Sequence, residues 1–244
     1  MSADLSNNRL LACLPAADLQ MLRHKLAWVE LPAGASLQEA GSVPAHAYFP
    51  ATATVSLTTN LQDGSAVEVA VVGNEGLVGL GAVLGGGPAL GNAVVQGGGM
   101  AWRLPSSVLR EIARVSAPLL QQLLGYIQVL LLQMAQVSAC HRHHRVDQQL
   151  CRWLLLHLDR LPGGAVTATH EGIAQLLGVR REGVTQAALR LQQAGLIRYG
   201  RGHIALLDRA GLEARSCECY QVVHQACERL PGGAAHPAAL REAA

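Results

Sequence analysis

Arg180, Arg181, Glu182, Thr185, Gln186 and Arg190 carry the most specific recognition chemistry in the sequence. At helical spacing they share the outer face of one helix, running from about Arg180 to Ala194, with Val184, Ala188 and Leu191 facing inward. The outward types have defined partners on base edges: Arg on guanine O6 and N7, Glu on cytosine N4, Gln on adenine N6 and N7. A run of this kind is also the ordinary solvated face of a surface helix, so the weight falls on its surroundings.

Those surroundings have the steric grammar of a helix-turn-helix. Thr169 stands as the N-cap of a preceding helix with Ile173, Ala174 and Leu177 on its inner face. Gly178 falls where the chain must turn left-handed, and Val179 is expected as a buried hinge. Small Ala174, Gly178 and apolar Val184 together satisfy the close crossing of two helices. Gly195 ends the second helix. Leu196–Tyr199 and His203–Leu207 then read as two strands joined at Gly200-Arg201-Gly202, a wing whose Arg201 and His203 would touch phosphate. The expected partner is double-stranded DNA.

The elements that must position this helix lie upstream. Leu120, Leu123, Ile127, Leu130, Met134 and Val137 recur at spacings of 3 and 4, a heptad seam about three heptads long. The seam predicts a homodimer; the alternative is a core helix packed on its own domain. Before it, from Trp28 to Leu104, short apolar runs alternate with turn residues, which predicts an all-β sandwich or barrel, most simply a jelly roll. Asp63-Gly64 between 55–61 and 66–72 is a hairpin signal. Residues 5–27 have helical spacing interrupted at Pro15, and Ser106 or Ser107 is expected to cap a helix over 108–115. The fold class is therefore α+β. Its units are a β-rich domain over 1–115, which the resemblance named below makes a β-roll sensor domain, a dimerisation helix over 116–144, a winged helix over 145–230 and a disordered tail over 231–244.

Composition narrows the function classes. Half of the 244 residues are hydrophobic, enough for a substantial core, and the net charge is only +2. That charge is unevenly placed: residues 141–229 hold 12 Arg against 8 Asp and Glu, whereas residues 1–140 hold 6 Lys and Arg against 8 acidic residues. Asn7, Asn8 and Arg9 occupy the place of a signal segment's apolar region, and glutamines interrupt the apolar stretch around 119–137. No membrane partner is expected, and a cytoplasmic location is. The six cysteines form no compact disulfide framework and are expected to be reduced.

From Thr169 to Leu207, and again over Asp208–Tyr220 with its Asp-Arg-Ala-Gly-Leu-Glu and Cys-Glu-Cys-Tyr, the chain resembles the Crp/Fnr family of transcription regulators, the relatives of the cyclic-AMP receptor protein. The resemblance runs through nearly the whole chain and implies a cyclic-nucleotide-binding-like β-roll, a dimer helix and a DNA-reading winged helix. It also makes RNA polymerase a candidate partner. The family's Arg and Glu that read a G·C pair correspond to Arg181 and Glu182, and its phosphate-contacting Thr at the first helix corresponds to Thr169. A further family Arg is replaced by Gln186, which favours adenine, and a phosphate-binding Thr by Gly183. The Gly-Glu and Arg-Ser pairs that hold ribose and cyclic phosphate fall on Gly79-Leu80 and near Leu90-Gly91, so both charged groups are missing. A phosphate buried without a cation is costly, which speaks against cyclic AMP as a ligand. Cys13 stands alone near the N-terminus, against an iron–sulfur cluster. No cofactor is predicted.

Other constellations carry less. Cys140, His143 and His144 share a helix face but lack the fourth ligand of a structural zinc site, and no metal is predicted. Cys217, Cys219 and Cys227 lack paired spacing, and residues i and i+2 point to different faces of a helix; a redox role for Cys217 or Cys219 stays open. His46 is a lone haem candidate, and with Glu39, Glu68 and Glu75 it makes a poor metal triad for a cupin-type enzyme. No nucleophile–base pair is visible, so no enzyme is expected. The competing function is a small-molecule or redox-sensing binding module whose winged helix mediates protein contacts.

Overall fold

The computed structural model describes residues 3–161, 163–200 and 202–232. Two short helices open the chain, α1 (Arg9–Ala12) and α2 (Ala16–Arg23), separated at Pro15. Asn8 caps α1 by accepting from the amides of Leu10 and Leu11. Its side-chain amide donates to the carbonyls of Pro50 and Gly76, both at 2.9 Å, and so ties the helix to the sheets.

Seven strands follow: β1 (Ala27–Leu31), β2 (Ser36–Gln38), β3 (His46–Pro50), β4 (Thr54–Asn60), β5 (Ala66–Val72), β6 (Asn92–Gly97) and β7 (Gly99–Pro105). They form two antiparallel sheets, ordered β1-β7-β3 and β2-β6-β4-β5, the jelly-roll arrangement the turn spacing predicts. The β4–β5 hairpin turns at Asp63-Gly64, where Gly64 has φ +83° and the Asp63 carboxylate accepts from the amide and hydroxyl of Ser65. Phe49, Val55, Val72, Val95 and Leu104 fill the space between the sheets.

Helix α3 (Ser106–Val115) begins earlier than expected, and Pro105 occupies the cap position without a side-chain hydrogen bond. Neither Ser106 nor Ser107 caps it: both already lie inside the helix, and Ser106 is buried. Helix α4 (Ala117–His143) is 27 residues long, with Ser116 Oγ accepting from the amide of Leu119 at 3.1 Å. Its buried face is Leu119, Leu123, Tyr126, Leu130, Gln133, Val137 and Cys140. Three of the six predicted seam residues, Leu123, Leu130 and Val137, therefore pack inside their own subunit. The apolar stripe that faces outward is rotated by one position: Leu120, Leu124, Ile127, Leu131 and Met134, with Leu124 49 % and Leu131 62 % exposed. The stripe is wide enough to serve both faces, and periodicity alone could not say which edge met the β-roll. By length and composition α4 is also the one helix among the described residues apolar enough to cross a membrane, the glutamines notwithstanding; in the fold its inner face belongs to the subunit core.

The remaining elements are α5 (Val146–Leu158), β8 (Ala165–Thr167), α6 (His170–Leu177), α7 (Arg181–Gln193), β9 (Ile197–Gly200), β10 (His203–Leu206), α8 (Arg209–Arg215) and α9 (Glu218–Glu228). The three strands form a small sheet ordered β8-β10-β9. Trp153, Leu154, Ile173, Val184, Leu191, Ile204 and Tyr220 make a second core, which Val71 of β5 joins from the β-roll. A buried ion pair and a buried histidine–carboxylate contact cross the same boundary. Arg160 Nε meets Glu75 Oε1 at 2.7 Å, and His157 Nε2 meets Glu68 Oε2 at 3.2 Å, with Ser56 also donating to Glu68. The chain turns at Pro231-Gly232; the rest of the expected tail, 233–244, lies outside the described residues.

Candidate nucleic-acid interface

The helix-turn-helix is built as its residue types require. Thr169 caps α6, its hydroxyl accepting from the amide of Gly172 at 3.0 Å. Gly178 closes α6 at φ +63°, a conformation in which a side chain costs roughly 1–2 kcal/mol. Ala174 and Val184 are buried at the crossing of α6 and α7, whereas Val179 is only half-buried instead of forming a buried hinge. Gly195 follows α7 at φ +72°.

Val184, Ala187, Ala188 and Leu191 anchor α7 in the second core. Arg180, Arg181, Glu182, Gln186 and Arg190 stand exposed on its other side, with Arg180 at the N-cap and Arg181 and Glu182 in the first turn. Arg181 Nε lies 3.9 Å from Glu171, and Arg190 lies 3.5 Å from Asp147. Exposed pairs of this kind are worth about 0–1 kcal/mol and give way readily to a phosphate or a base. Thr185 is different. It is half-buried, and its hydroxyl pairs with His170 Nδ1 at 3.1 Å. His170 also stacks on Tyr199 with centroids 4.1 Å apart, and burial first, then the Arg181 charge, lowers its pKa. This His170–Thr185 brace between the two helices and the wing escaped sequence reasoning, although a His directly after the Thr169 cap was there to be noticed.

The wing forms as expected. In the β9–β10 turn Gly202 has φ +79°, and its carbonyl accepts from the Ala168 amide, tying the wing to the entry of α6. His203 is exposed, with Nδ1 3.1 Å from Thr167 Oγ1. Arg201, the predicted wing tip, lies outside the described residues.

A cavity of about 540 Å³ opens between the β2-β6-β4-β5 sheet, the 77–92 segment and α4. Its lining is mostly aliphatic, with Gln38, Thr58, Thr59 and Asn92 as the polar side chains, and no lining residue is charged. Gly79 and Leu90, where the cyclic-nucleotide cassette would place its ribose and phosphate contacts, both lie there, and Gly79 has φ +99°. Ile127, Leu131 and Met134 line the cavity and also belong to the outward stripe of α4.

The carboxylates of the cupin-like reading are engaged elsewhere. Glu68 and Glu75 bind His157 and Arg160 at the domain boundary, while His46 sits near Tyr48, its ring centroid 6.3 Å away. The thiols are closer together than their spacing suggested. Cys217 is the N-cap of α9 in extended conformation, so the rule for helical i and i+2 does not apply to it, and its thiol turns to the same side as that of Cys219. Of the Cys140, His143 and His144 group, two residues meet two further donors: Cys140, His144, Cys217 and Cys219 converge, and His143 is exposed outside the cluster.

Residues 28–116 match the cyclic nucleotide-binding domain family, and residues 148–215 match the Crp-like helix-turn-helix domain family. The chain belongs to the Crp/Fnr family of DNA-binding transcription regulators. No curated protein matches the sequence. Among solved structures, a transcriptional regulator described as of the Crp/Fnr family from Eubacterium rectale superposes with a TM-score of 0.68 at 17 % identity, over 86 % of this chain and 98 % of that one. FixK2 from Bradyrhizobium japonicum gives 0.65 at 17 %, over 79 % of this chain and 98 % of its own. A Crp/Fnr-family regulator from Thermus thermophilus gives 0.62 at 24 %, over 78 % of this chain and 98 % of its own. At these identities the likeness speaks for the shared architecture of β-roll, long helix and winged helix.

Proposed function

We propose that two copies of this regulator pair along α4 and read a pseudo-palindromic operator with two α7 helices, whose half-site centres lie about ten base pairs apart. The observation that carries the reading is the outer face of α7. Arg181, Glu182 and Gln186 are exposed together at its N-terminal end, while the opposite face is locked in the core. Arg181 and Glu182 would read a G·C pair and Gln186 an adenine; Arg180, Arg190, His203, Arg201 and Thr169 would hold phosphates. Thr185 acts through His170 as a brace.

Pairing would use the rotated stripe of Leu120, Leu124, Ile127, Leu131 and Met134, which keeps the 3–4 alternation of a coiled-coil seam. The effector would be an uncharged, largely apolar molecule in the 540 Å³ cavity, because an anionic phosphate would meet no cation there. Such a ligand would touch Ile127, Leu131 and Met134 directly, and so would bias the seam that sets the separation of the two reading heads.

The test is to sequence duplexes retained from a random pool by the wild-type protein and by Arg181→Ala. The wild type should select an inverted repeat. The variant should lose about 1–3 kcal/mol and its preference at one base pair of each half-site. Retention of no duplex at all would instead favour a winged helix that binds protein.

A further inference from the structure

Where α4 ends and α9 begins, the chain assembles four side chains that DNA reading does not use. Cys140 lies in the last turn of α4 and His144 at its C-cap; Cys217 is the N-cap of α9 and Cys219 lies in its first turn. One donor atom from each lies within 4.8 Å of all the others. Cys140 Sγ is 3.5 Å from Cys217 Sγ, and Cys219 Sγ is 3.6 Å from His144 Nδ1. A tetrahedral zinc ion with bonds of about 2.3 Å to sulfur and about 2.05 Å to nitrogen has edges of about 3.8 Å between sulfurs and about 3.6 Å between sulfur and nitrogen. The two measured edges are close to these.

Buried thiols can also pack as small apolar groups. Four features point past that reading. The three cysteines form a buried cluster of their own, separate from both apolar cores. The other ring nitrogen of His144, Nε2, lies 3.3 Å from Glu218 Oε2, the carboxylate partner that orients a metal-binding imidazole. Gln149 Nε2 donates to the His144 carbonyl at 2.8 Å and fixes the turn that presents the ring. Finally, Arg152 is buried, and among the described residues no carboxylate lies within ion-pair distance of it. Its charge acts on Cys140. Three thiolates and one divalent ion leave a net charge of −1, which this guanidinium would balance.

We propose that Cys140, His144, Cys217 and Cys219 bind one tetrahedral divalent ion of the zinc type, which staples the end of α4 to the start of α9. Three sulfurs and one imidazole nitrogen select a thiolate-preferring tetrahedral ion over the oxygen-seeking calcium and magnesium. On binding, the thiol protons leave to solvent and the sulfurs take up the ion, so affinity falls at low pH. All four positions are filled by protein, which makes the site structural rather than catalytic. The staple joins residues 77 apart in sequence. It fixes how the winged helix hangs from the long helix.

The full-length chain, purified from zinc-supplemented culture without chelator, should carry one zinc per chain by elemental analysis. With Co2+ in place of zinc it should show the sulfur-to-cobalt charge-transfer bands and intense visible bands of a tetrahedral thiolate site. Glu218→Gln should keep the same cobalt spectrum while weakening affinity about 10–100-fold. Cys217→Ser/Cys219→Ser should lose both the metal and the bands. Should that variant fail to fold, the wild-type cobalt spectrum still decides. A freshly purified wild-type chain that is metal-free and gives no such spectrum would overturn the proposal, as would one whose Cys140 and Cys217 are joined in a disulfide.

Discussion

Single residues at the boundary between α5 and α9 set how stability answers to pH. Asp159 accepts from His224 at 3.1 Å and from Tyr220 at 3.1 Å, and Arg209 donates to it as well. Burial pushes the Asp159 carboxyl up, but the hydrogen bonds from His224 and Arg209 outweigh it and hold the group below the ordinary 3.8. The Asp159 hydrogen bond in turn raises His224 above the ordinary 6.5. A carboxylate with a depressed pKa contributes stability that is present above its unfolded value and lost as pH falls through its folded value. A histidine with a raised pKa contributes stability that is full below its unfolded value and lost as pH rises through its folded one. The pair is therefore at full strength between about pH 4 and pH 6.5. Asp159→Asn should lower the urea midpoint most in this window and flatten the stability profile on both sides of it. A midpoint loss equal at pH 5 and pH 9 would show that the His224 charge plays no part, since Arg209 stays charged at both. Gly178→Ala works through the backbone alone. Ordinary van der Waals space is open around it, so the left-handed φ of +63° should account for the whole cost, about 1–2 kcal/mol in a denaturation experiment.

At the scale of elements, α4 serves two masters. Its inner row binds its own β-roll, and Tyr126 packs so closely on Gly76 that a Cβ there would lie 2.3 Å from the ring. Its outer row stays exposed, and under the proposed pairing it would meet a second copy. The two roles separate by substitution. Leu123→Ala should destabilise each subunit by about 2–5 kcal/mol and leave association intact, because it empties a buried site. Leu124→Arg/Leu131→Arg should convert the dimer to monomer in sedimentation velocity with the far-ultraviolet circular dichroism unchanged, because it sets like charges against each other on the exposed row. A dimer that survives the second change would sink the proposed seam. The same helix shows what the sequence could and could not reveal. Thr169, Gly178, Gly195 and Asp63-Gly64 were legible because capping and turn chemistry act within a few residues. A leucine stripe wider than one seam gives a helix and a period but no azimuth, so three of the six predicted seam residues belong to the subunit core instead. The Cys140–Cys217 contact and the Arg160–Glu75 pair join residues 77 and 85 apart, and only the folded chain brings them together. Cys217 was misjudged for a local reason: placing it in a helix sent its thiol away from Cys219, whereas as a cap it turns back.

Across the whole molecule, the winged helix is not tethered loosely to the β-roll. Arg160 and Glu75 face each other with 5 % and 6 % of their side chains exposed, and Arg160 also donates to the Leu156 carbonyl at 2.7 Å. Burial disfavours the Arg160 charge, and Glu75 more than restores it. A buried pair seldom adds much net stability, because both ions give up their hydration; removing one partner is another matter, since the remaining charge stays dry. Arg160→Met should therefore cost about 3–5 kcal/mol in urea denaturation, and Arg160→Met/Glu75→Gln should recover most of it. Function should not follow stability back. Glu75 sits on the β-roll, whose cavity also borders α4, and Arg160 follows α5, which enters the DNA-binding core. The pair ties the β-roll to the segment that follows α5, and under the proposed reading it would set the angle at which α7 is carried relative to α4, an angle that uncharged replacements would leave loose. The double variant is expected to melt near the wild type yet to bind an inverted repeat more weakly, with binding to a single half-site unchanged. If it bound both as tightly as the wild type, the ion pair would be a packing detail with no part in setting the distance between the two reading helices.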